Sequence, residues 1–421
     1  MKPSDKKAQP DCDAMAAKLL SVDEAKQKIL DSVNVVTGQE KLAIRSTLDR
    51  VLATDIQSTI NVPPYDNSAM DGYAIRHSDL QADNETCLQL AGESFAGKPY
   101  AGTMNQGQTI RIMTGAVIPD GADTIVMQEH ARCEDDKVFF SSAHRKGDHV
   151  RRIGEDMKTG ETILTRGMQI TPAELGLLAS LGIPEIKVMR KIRVAFFSTG
   201  DELRSVGETL HEGQIYDSNR YTLYGMLKRL GVDIIDMGVI ADRRDDVRNA
   251  FQEASVIADA VITSGGVSVG EADFVKDTLE ELGQVNFWRV AMKPGKPLAI
   301  GSIGNAAFFG VPGNPVSAMA TFYQFVQPAL KKMMGTSNSF NTLLKVACSS
   351  TLKKAAGRLE YQRGILSYND EGELVVSSTG VQGSHILTSM SRANCFIILP
   401  ADNTGVKPGD TVQIQPFSDL V

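Results

Sequence analysis

The run AVITSGGVSVGEAD, residues 260–273, decides the fold class. It opens with three consecutive apolar residues, which is typical of a strand buried on both faces of a parallel sheet. Three glycines and two serines follow, and then a helical pattern from about Asp273 to Leu282, with an apolar face of Val275, Leu279 and Leu282. A strand, a glycine-rich loop and a helix in this order predict one unit of an α/β domain with a parallel sheet.

The segments on either side repeat this pattern. Residues 194–197 form another apolar run, and apolar residues at i, i+3, i+4 and i+7 from Leu223 to Leu230 predict a helix that closes at Gly231. A further strand is expected at 234–237. We therefore expect an α/β domain of right-handed βαβ units over residues 191–338.

Outside this domain the pattern of apolar and polar residues is typical of short strands. Between residues 72 and 156, Gly and Pro separate short β-like runs, which predicts a small β domain. After residue 338 strand-like runs return, with a hairpin loop at 369–372, and predict a β-barrel or sandwich. Ser21 and Glu24 have the spacing of a capping box, so a helix is expected from there to about Val33.

Composition narrows the class of protein. A chain of 421 residues exceeds the usual size of a single core, so several domains are expected. The net charge of −7 argues against a broad nucleic-acid-binding face, and no apolar run approaches the length of a membrane span. Five scattered cysteines without a CxxC pair argue against a disulfide framework and a zinc site. With no signal-peptide pattern, a cytoplasmic location is expected.

Three loops that follow predicted strands are candidates for chemistry, because ligands bind at the carboxyl ends of parallel strands. The first, residues 198–202, ends in two acidic residues; a capped turn with solvated acids explains it equally well. The second contains Ser264, Gly265, Gly266 and Ser268, whose backbone N–H groups suit an anion. It lacks the Gly-Lys-Ser/Thr ending of a Walker A loop. The loop could instead be a flexible connector, but we favour a role in binding an anion.

The third loop is cationic. Arg289 precedes Lys293-Pro294-Gly295-Lys296-Pro297, and Pro312-Gly313-Asn314-Pro315 leads to Ser317. Two lysines between prolines suit an oxyanion, and Asn-Pro is a favourable helix start that directs free N–H groups to the same region. A surface turn beside a capped helix is a close alternative.

Carboxylates complete the picture. Glu202, Asp242 and Asp273 are expected along the same sheet edge as the anion site. Carboxylates beside a phosphate predict a Mg²⁺ site, because Mg²⁺ binds one or two carboxylates together with phosphate oxygens and water. The residue types and their spacing therefore predict a protein that binds an anionic substrate together with a divalent metal ion.

Seven motifs, taken together, resemble the MoeA family and the related E domain of gephyrin. They occur in the family's order from about Leu20 to the end of the chain, and such a series is very specific although any one motif is not. The motifs are NSAMDGYA (67–74), RIMTGA (111–116), RIGED (152–156), STGDE (198–202), SGGVSVG (264–270), KPGKP (293–297) and PGNP (312–315).

The resemblance implies four domains and a homodimer. Residues 20–66 and 157–190 would form an elongated helical and β domain, interrupted by an inserted β domain at 67–156. A molybdopterin-binding α/β domain at 191–338 and a C-terminal β-barrel at 339–421 would follow. The implied reaction takes adenylylated molybdopterin and molybdate, with Mg²⁺, and yields molybdenum cofactor and AMP. Contact with the molybdopterin adenylyltransferase is also expected.

The resemblance also implies roles for individual residues. Catalytic positions match Asp71, Asp156, Glu202, Asp242 and Asp273, and the last three are also the implied metal ligands. Thr114 and Arg151 match functional positions of the inserted domain. The residues that match positions for molybdate or the pterin phosphate are Lys293, Lys296, Pro297, Ser317, Arg363 and Ser384. Arg289 is a departure, because lysine is expected there in many relatives and a planar guanidinium is not a point charge.

Two other functions remain as alternatives. The α/β domain also resembles the adenylyltransferase that activates molybdopterin with ATP, although the additional domains and the paired lysines favour insertion of molybdenum. A scaffold like gephyrin is the second alternative, and the complete set of site residues argues against it.

Overall fold

The structure is a computed structural model that describes residues 19–81, 84–141, 144–265, 274–337 and 342–417. Three six-stranded sheets organise these residues, and we call them the central sheet, the insert sheet and the C-terminal sheet. Within the described parts of the chain, no helix is both long enough and apolar enough to cross a membrane.

The central sheet carries the α/β part of the fold. Its order is Asp233–Ile240, Arg193–Thr199, Ala260–Ser264, Ala306–Val311, Pro297–Ile303 and Gly283–Arg289. The first four strands are parallel, as predicted, whereas Pro297–Ile303 pairs antiparallel with both of its neighbours, Ala306–Val311 and Gly283–Arg289. The antiparallel edge arises because strands Pro297–Ile303 and Ala306–Val311 are joined by two residues, which leaves no room for a crossover helix.

Helices cover both faces of the central sheet. Helix Ser218–Leu230 packs on the face that contains Phe196 and ends at Gly231, whose φ of 79° is left-handed, as expected for a helix terminator. Helices Arg244–Ile257 and Phe274–Leu282 pack on the opposite face, which contains Phe197. Neighbouring residues of one strand thus belong to two different cores, which explains the continuous apolar run in the sequence.

A continuous helical segment follows the last parallel strand. Its parts are Pro315–Thr321, the π-helical turn Phe322–Val326, and Gln327–Met333. The predicted Asn-Pro start is confirmed, with Asn314 at the cap position, although its side chain makes no capping bond. This segment is buried against the central sheet.

The insert sheet lies in the region predicted to be a small β domain. Its order is Thr124–Met127, Gly72–Ile75, Gln108–Ile112, Thr86–Ser94, Lys137–Phe140 and Ala131–Glu134. Alternate residues of strand Gly72–Ile75 face two separate cores, one containing Tyr73 and Ile75 and the other containing Ala74. Both cores consist of residues between 73 and 150 alone, among the residues that the structure describes.

The chain segments before and after the insert pack together. Strand Gln39–Ala43 pairs with Glu185–Met189, and Ile56–Gln57 pairs with Thr162–Leu164. The predicted capping box is present at the start of helix Val22–Ser32, and a second capping box, which was not predicted, begins helix Pro172–Ser180. Helix Val22–Ser32 buries its apolar face against the large core of the central sheet.

The C-terminal sheet closes on itself into a five-stranded barrel. The strands are Leu359–Tyr368, Leu374–Ser378, Leu344–Cys348, Thr411–Pro416 and Cys395–Leu399, and the last pairs again with the first. The barrel and the hairpin at 369–372 agree with the sequence prediction. The short strand Met292–Lys293 joins this sheet beside Leu359 and Glu360. The cationic loop therefore begins at the junction between the central sheet and the barrel.

Candidate active site

A cavity of about 390 Å³ opens at the carboxyl ends of the parallel strands, where the sequence predicted the site. Its wall combines residues from four loops and the start of helix Ser218–Leu230. The lining residues are Thr199, Glu202, Leu203, Ile215, Tyr216, Asp217, Ser218, Asn219, Ser264, Gly265, Gly313, Asn314, Pro315 and His385.

Gly265 is required by the close approach of the strands that end here. Its φ is 93°, and its N–H donates to the carbonyl oxygen of Val311 at 3.2 Å. A Cβ at this position would lie 2.9 Å from the carbonyl oxygen of Thr199. The predicted site residues Gly266, Ser268 and Asp273 lie outside the described residues.

Asn219 joins two of the loops and is not among the predicted site residues. Its Nδ2 donates to Ser264 Oγ at 2.8 Å and to the carbonyl oxygen of Gly313 at 2.6 Å. The neighbouring Asp217 caps the helix by accepting from the N–H of Arg220 at 3.1 Å. The sequence Asp217-Ser218-Asn219 before a helical pattern is a recognisable cap signal, but the bridge to Ser264 and Gly313 spans 45 and 94 residues.

Asp242 lies near the carboxylates of Asp201 and Glu202. Burial raises the pKa of Asp242, and the neighbouring carboxylates of Asp201 and Glu202 raise it further. The N–H of Asp242 donates to Asp201 Oδ1 at 3.4 Å. No salt bridge involves any of these three carboxylates among the described residues, so their negative charges are not offset there.

These carboxylates fit a hard divalent cation. Uncompensated carboxylate oxygens are the donors that Mg²⁺ prefers, and Mg²⁺ completes its shell with water and phosphate oxygens. In the described part of the chain, no three His, Cys, Asp or Glu side chains converge closely enough to hold a metal by themselves. A metal here would therefore depend on the substrate for several of its ligands.

The cationic loop and the barrel come together beside this cavity. Lys293 Nζ lies 3.1 Å from Glu360 Oε1, and Glu360 is buried. The N–H of Val316 donates to the carbonyl oxygen of Ser384 at 3.1 Å, which brings the neighbouring residue Ser317 close to that loop. The N–H of Val316 is one of the helix-start donors that were expected to be free, and it is already paired with Ser384.

Arg363 projects from barrel strand Leu359–Tyr368 and is only 1% exposed. Its Nε donates to Ser389 Oγ at 3.0 Å and its Nη2 to the carbonyl oxygen of Gly383 at 3.1 Å. Burial lowers the pKa of Arg363 to about 10, against the opposing effect of Glu360. The guanidinium is therefore still charged at neutral pH, and Gly383 connects it to Ser384.

The remaining predicted residues of this region lie on the cationic loop or beside the cavity wall. Arg289 pairs with Pro297 at the ends of two antiparallel strands, and the N–H of Val290 donates to the carbonyl oxygen of Lys296 at 2.9 Å. The side chains of Arg289, Lys293 and Lys296 are all exposed. Pro312 is buried directly after strand Ala306–Val311, next to the cavity wall.

A second group of predicted residues lies at the base of the insert. Asp71 Oδ1 accepts from the N–H and from the hydroxyl of Thr114, both at 2.7 Å, and these bonds lower the pKa of Asp71. Arg151 is exposed on a strand whose partner residue is Asn67. Asp156 donates its N–H to Val62 at 3.0 Å and belongs to the connection back to the elongated region.

The structure does not bring the two groups together within one chain. Among the described residues, no hydrogen bond or ion pair joins residues 67–156 to residues 193–417. The insert also shares no apolar core with the central sheet. The two groups are therefore separate in the single chain.

Comparison with known proteins shows a match along nearly all of the chain. The MoeA N-terminal region (domain I and II) matches residues 20–182, a probable molybdopterin binding domain matches 195–332, and the MoeA C-terminal region (domain IV) matches 345–417. The molybdopterin molybdenumtransferase of Haemophilus influenzae is 47% identical over 96% of this chain and 100% of that protein. That of Bacillus subtilis is 34% identical over 89% of each.

A solved structure agrees with these relatives. The molybdopterin biosynthesis MoeA protein from Pyrococcus horikoshii is 30% identical and has a TM-score of 0.83, covering 95% of this chain and 100% of that chain. The similarity thus includes the insert, the central sheet and the barrel, in the same order. The chain belongs to the MoeA family of molybdopterin molybdenumtransferases.

Proposed function

We propose that this protein inserts molybdenum from molybdate into adenylylated molybdopterin, forming molybdenum cofactor and releasing AMP. The observation that carries this proposal is the match over the full length of a relative named molybdopterin molybdenumtransferase. The adenylyltransferase alternative is not favoured, because the matched regions include the N-terminal and C-terminal parts as well as the molybdopterin binding domain. A scaffold is not favoured either, because the loops around the cavity contain the acidic and cationic groups that the reaction needs.

Molybdate would bind where the cationic loop meets the barrel. It is a tetrahedral dianion, so it suits the positive charges of Lys293, Lys296 and Arg363, with hydroxyl donors from Ser317 and Ser384. Pro297 limits the freedom of the loop. The adenylylated pterin would occupy the adjoining cavity, with its phosphates near Ser264, Gly265 and the loop that follows.

Mg²⁺ is the metal that we propose for this site. Glu202 and Asp242 would hold it, together with Asp273, which the sequence places after the glycine-rich loop. When bound, Mg²⁺ offsets the charge that develops as the adenylate is cleaved. The role of this chain is to hold the two phosphate-linked halves of the substrate in place while AMP leaves, and the sulfur atoms that receive molybdenum belong to the pterin.

A homodimer would complete each active site. Asp71, Thr114, Arg151 and Asp156 are separate from the cavity in one chain, as described above. Exposed apolar side chains surround this group, namely Tyr65, Met70 and Ile153. A two-fold dimer would place the insert of one chain beside the cavity of the other and bury these side chains.

We also propose that the reaction takes place in the cytoplasm and that the adenylyltransferase delivers the substrate directly. The described cysteines are all free thiols, which suits a reducing compartment. Direct delivery would protect an activated intermediate from water.

The decisive experiment is reconstitution with the purified protein. Adenylylated molybdopterin, molybdate and Mg²⁺ should yield AMP and a pterin that carries molybdenum, in equal amounts. Omission of molybdate should prevent formation of the metal-loaded pterin. Consumption of ATP with molybdopterin alone would instead support the adenylyltransferase, and absence of turnover with molybdate binding lost would support a scaffold.

A further inference from the structure

Arg363 is held in place by neighbouring residues that have no assigned role. Ser389 accepts from Nε at 3.0 Å, and the carbonyl oxygen of Gly383 accepts from Nη2 at 3.1 Å. The side-chain amide of Gln382 binds the main chain of Arg363, accepting from its N–H at 2.8 Å and donating to its carbonyl oxygen at 3.1 Å. Backbone and guanidinium are thus fixed separately.

The hydroxyl of Ser389 can act only as an acceptor toward Arg363. Its single proton is donated to the carbonyl oxygen of Ile386 at 2.7 Å, which leaves a lone pair for Nε. Ser389 is buried on the short helix Leu387–Arg392, so neither partner can exchange this bond for water. Loss of the hydroxyl would leave a buried charged N–H without an acceptor, which is costly.

Gln382 replaces a missing strand partner. Strand Leu374–Ser378 pairs with the strand of Arg363 only from Gly364 onward, so the ladder on that side stops one residue short. The amide of Gln382 continues it, together with the N–H of Thr379, which donates to the carbonyl oxygen of Arg363 at 3.2 Å. Because Gln382 precedes Gly383, the same contact sets the distance between the barrel strand and the loop that contains Ser384.

One edge of the guanidinium remains available. Nη1 makes no hydrogen bond with any residue in the part of the chain that the structure describes, whereas Nε and Nη2 are both engaged. We propose that Ser389 and Gln382 are positioning residues that hold Arg363 with its Nη1 N–H groups ready for the oxyanion of the substrate. This inference rests on the proposed function, in which Arg363 binds molybdate.

The first test is molybdate binding by Ser389→Ala and Gln382→Ala, measured by calorimetry on the purified full-length protein. Loss of a hydrogen bond to a charged group should weaken molybdate binding about tenfold. In steady-state assays the KM for molybdate should rise by the same factor while kcat at saturating molybdate changes little. Gln415→Ala is the control, because it removes a buried side-chain bond with Gln324 from the same barrel without touching Arg363. The control should lower stability and leave the KM unchanged.

A double-mutant cycle separates this inference from the proposed function. If Ser389 acts through Arg363, Ser389→Ala should cause no further loss of molybdate binding when it is added to Arg363→Ala. Additive losses would overturn the positioning role. If Arg363→Ala weakens binding and neither Ser389→Ala nor Gln382→Ala does, the positioning role is wrong and the proposed function stands. If Arg363→Ala itself leaves molybdate binding unchanged, the assignment of the molybdate pocket is wrong.

Discussion

Arg190 and Asp259 form an ion pair with two parallel hydrogen bonds, Nη1 to Oδ2 at 2.8 Å and Nη2 to Oδ1 at 2.7 Å. Arg190 also donates from Nε to the carbonyl oxygen of Thr37 at 3.0 Å, and Asp259 accepts from the N–H of Arg193 at 2.8 Å. Both side chains are largely buried. The pair therefore ties the elongated region to the strand that leads into the glycine-rich loop.

We expect Asp259→Asn to lower the free energy of unfolding by about 2 kcal/mol, because it leaves a partly buried guanidinium without its charged partner. The measurement is urea unfolding at pH 7. Glu281→Gln is the matched control, since Glu281 pairs with Arg244 and Arg248 at the surface. Exposed pairs contribute little, so the control should change stability by less than about 0.5 kcal/mol. Equal effects of both substitutions would show that the Arg190–Asp259 pair has no special importance.

The contribution of the Arg190–Asp259 pair to the free energy of unfolding should depend on pH. Burial alone would raise the pKa of Asp259, but the bonds from Arg190 and from the N–H of Arg193 hold it below the ordinary carboxyl value. The pKa is therefore lower in the folded than in the unfolded state. The stabilisation is complete above the unfolded pKa and is lost as the pH falls through the folded pKa. The difference in stability between wild type and Asp259→Asn should begin to shrink as the pH falls to about 4, the ordinary carboxyl pKa, and should continue to shrink below it; a constant difference would contradict this explanation.

Lys296→Ala should raise the molybdate concentration needed for half-maximal activity by about ten- to a hundredfold, while binding of the adenylylated pterin changes less. The reason is that a charge-assisted contact to the dianion is lost. Lys345→Ala provides the control, because Lys345 is an exposed lysine on a barrel strand without an assigned role. A molybdate requirement that did not change in Lys296→Ala would exclude this lysine from the pocket.

Asp273→Asn should bind adenylylated molybdopterin and release little AMP. The sequence places this carboxylate after the glycine-rich loop, where it would help to hold Mg²⁺ or orient water near the phosphate. Substrate binding and AMP release should be measured separately on the same preparation. Release of AMP at the wild-type rate would remove Asp273 from the chemistry.

Mixed dimers should restore activity if each active site uses residues from two chains. Asp71→Ala and Asp273→Ala should each be nearly inactive as homodimers, because one removes a predicted catalytic carboxylate of the insert and the other removes the carboxylate that follows the glycine-rich loop. In a heterodimer of the two variants, a shared-site arrangement places both changes in one site and leaves the other intact. Activity should then return toward half of wild type. Heterodimers as inactive as the parent variants would show that each site belongs to a single chain.

The elements of the fold follow closely from local sequence patterns. The continuous run at 194–197 predicted a strand between two cores, and the apolar spacing from Leu223 to Leu230 predicted a helix that Gly231 ends. The capping box at Ser21 and Glu24 marked a helix start correctly. Each signal depends on residues a few positions apart, because backbone conformation and amphipathic faces are decided at that range.

The antiparallel edge of the central sheet is a feature that local sequence patterns did not predict. Strand Gly283–Arg289 alternates apolar and polar residues, whereas Pro297–Ile303 contains an apolar run like those of the parallel strands. The direction of Pro297–Ile303, opposite to that of both of its neighbours, depends on the short connection to Ala306–Val311 and on which edge of the sheet is open. Closure of the barrel is similar, since it requires strand Cys395–Leu399 to return to Leu359–Tyr368.

Local sequence patterns were enough to identify the candidate loops of the active site, because parallel strands present their carboxyl ends at one edge of a sheet. The contacts between residues of different loops depend on the three-dimensional fold. Asn219 meets Gly313 across 94 positions, and Lys293 meets Glu360 across 67. The separation of Asp71 from the cavity likewise depends on where the insert projects. Such contacts are selected by packing and by the pairing of buried polar groups, which act between elements rather than along the chain.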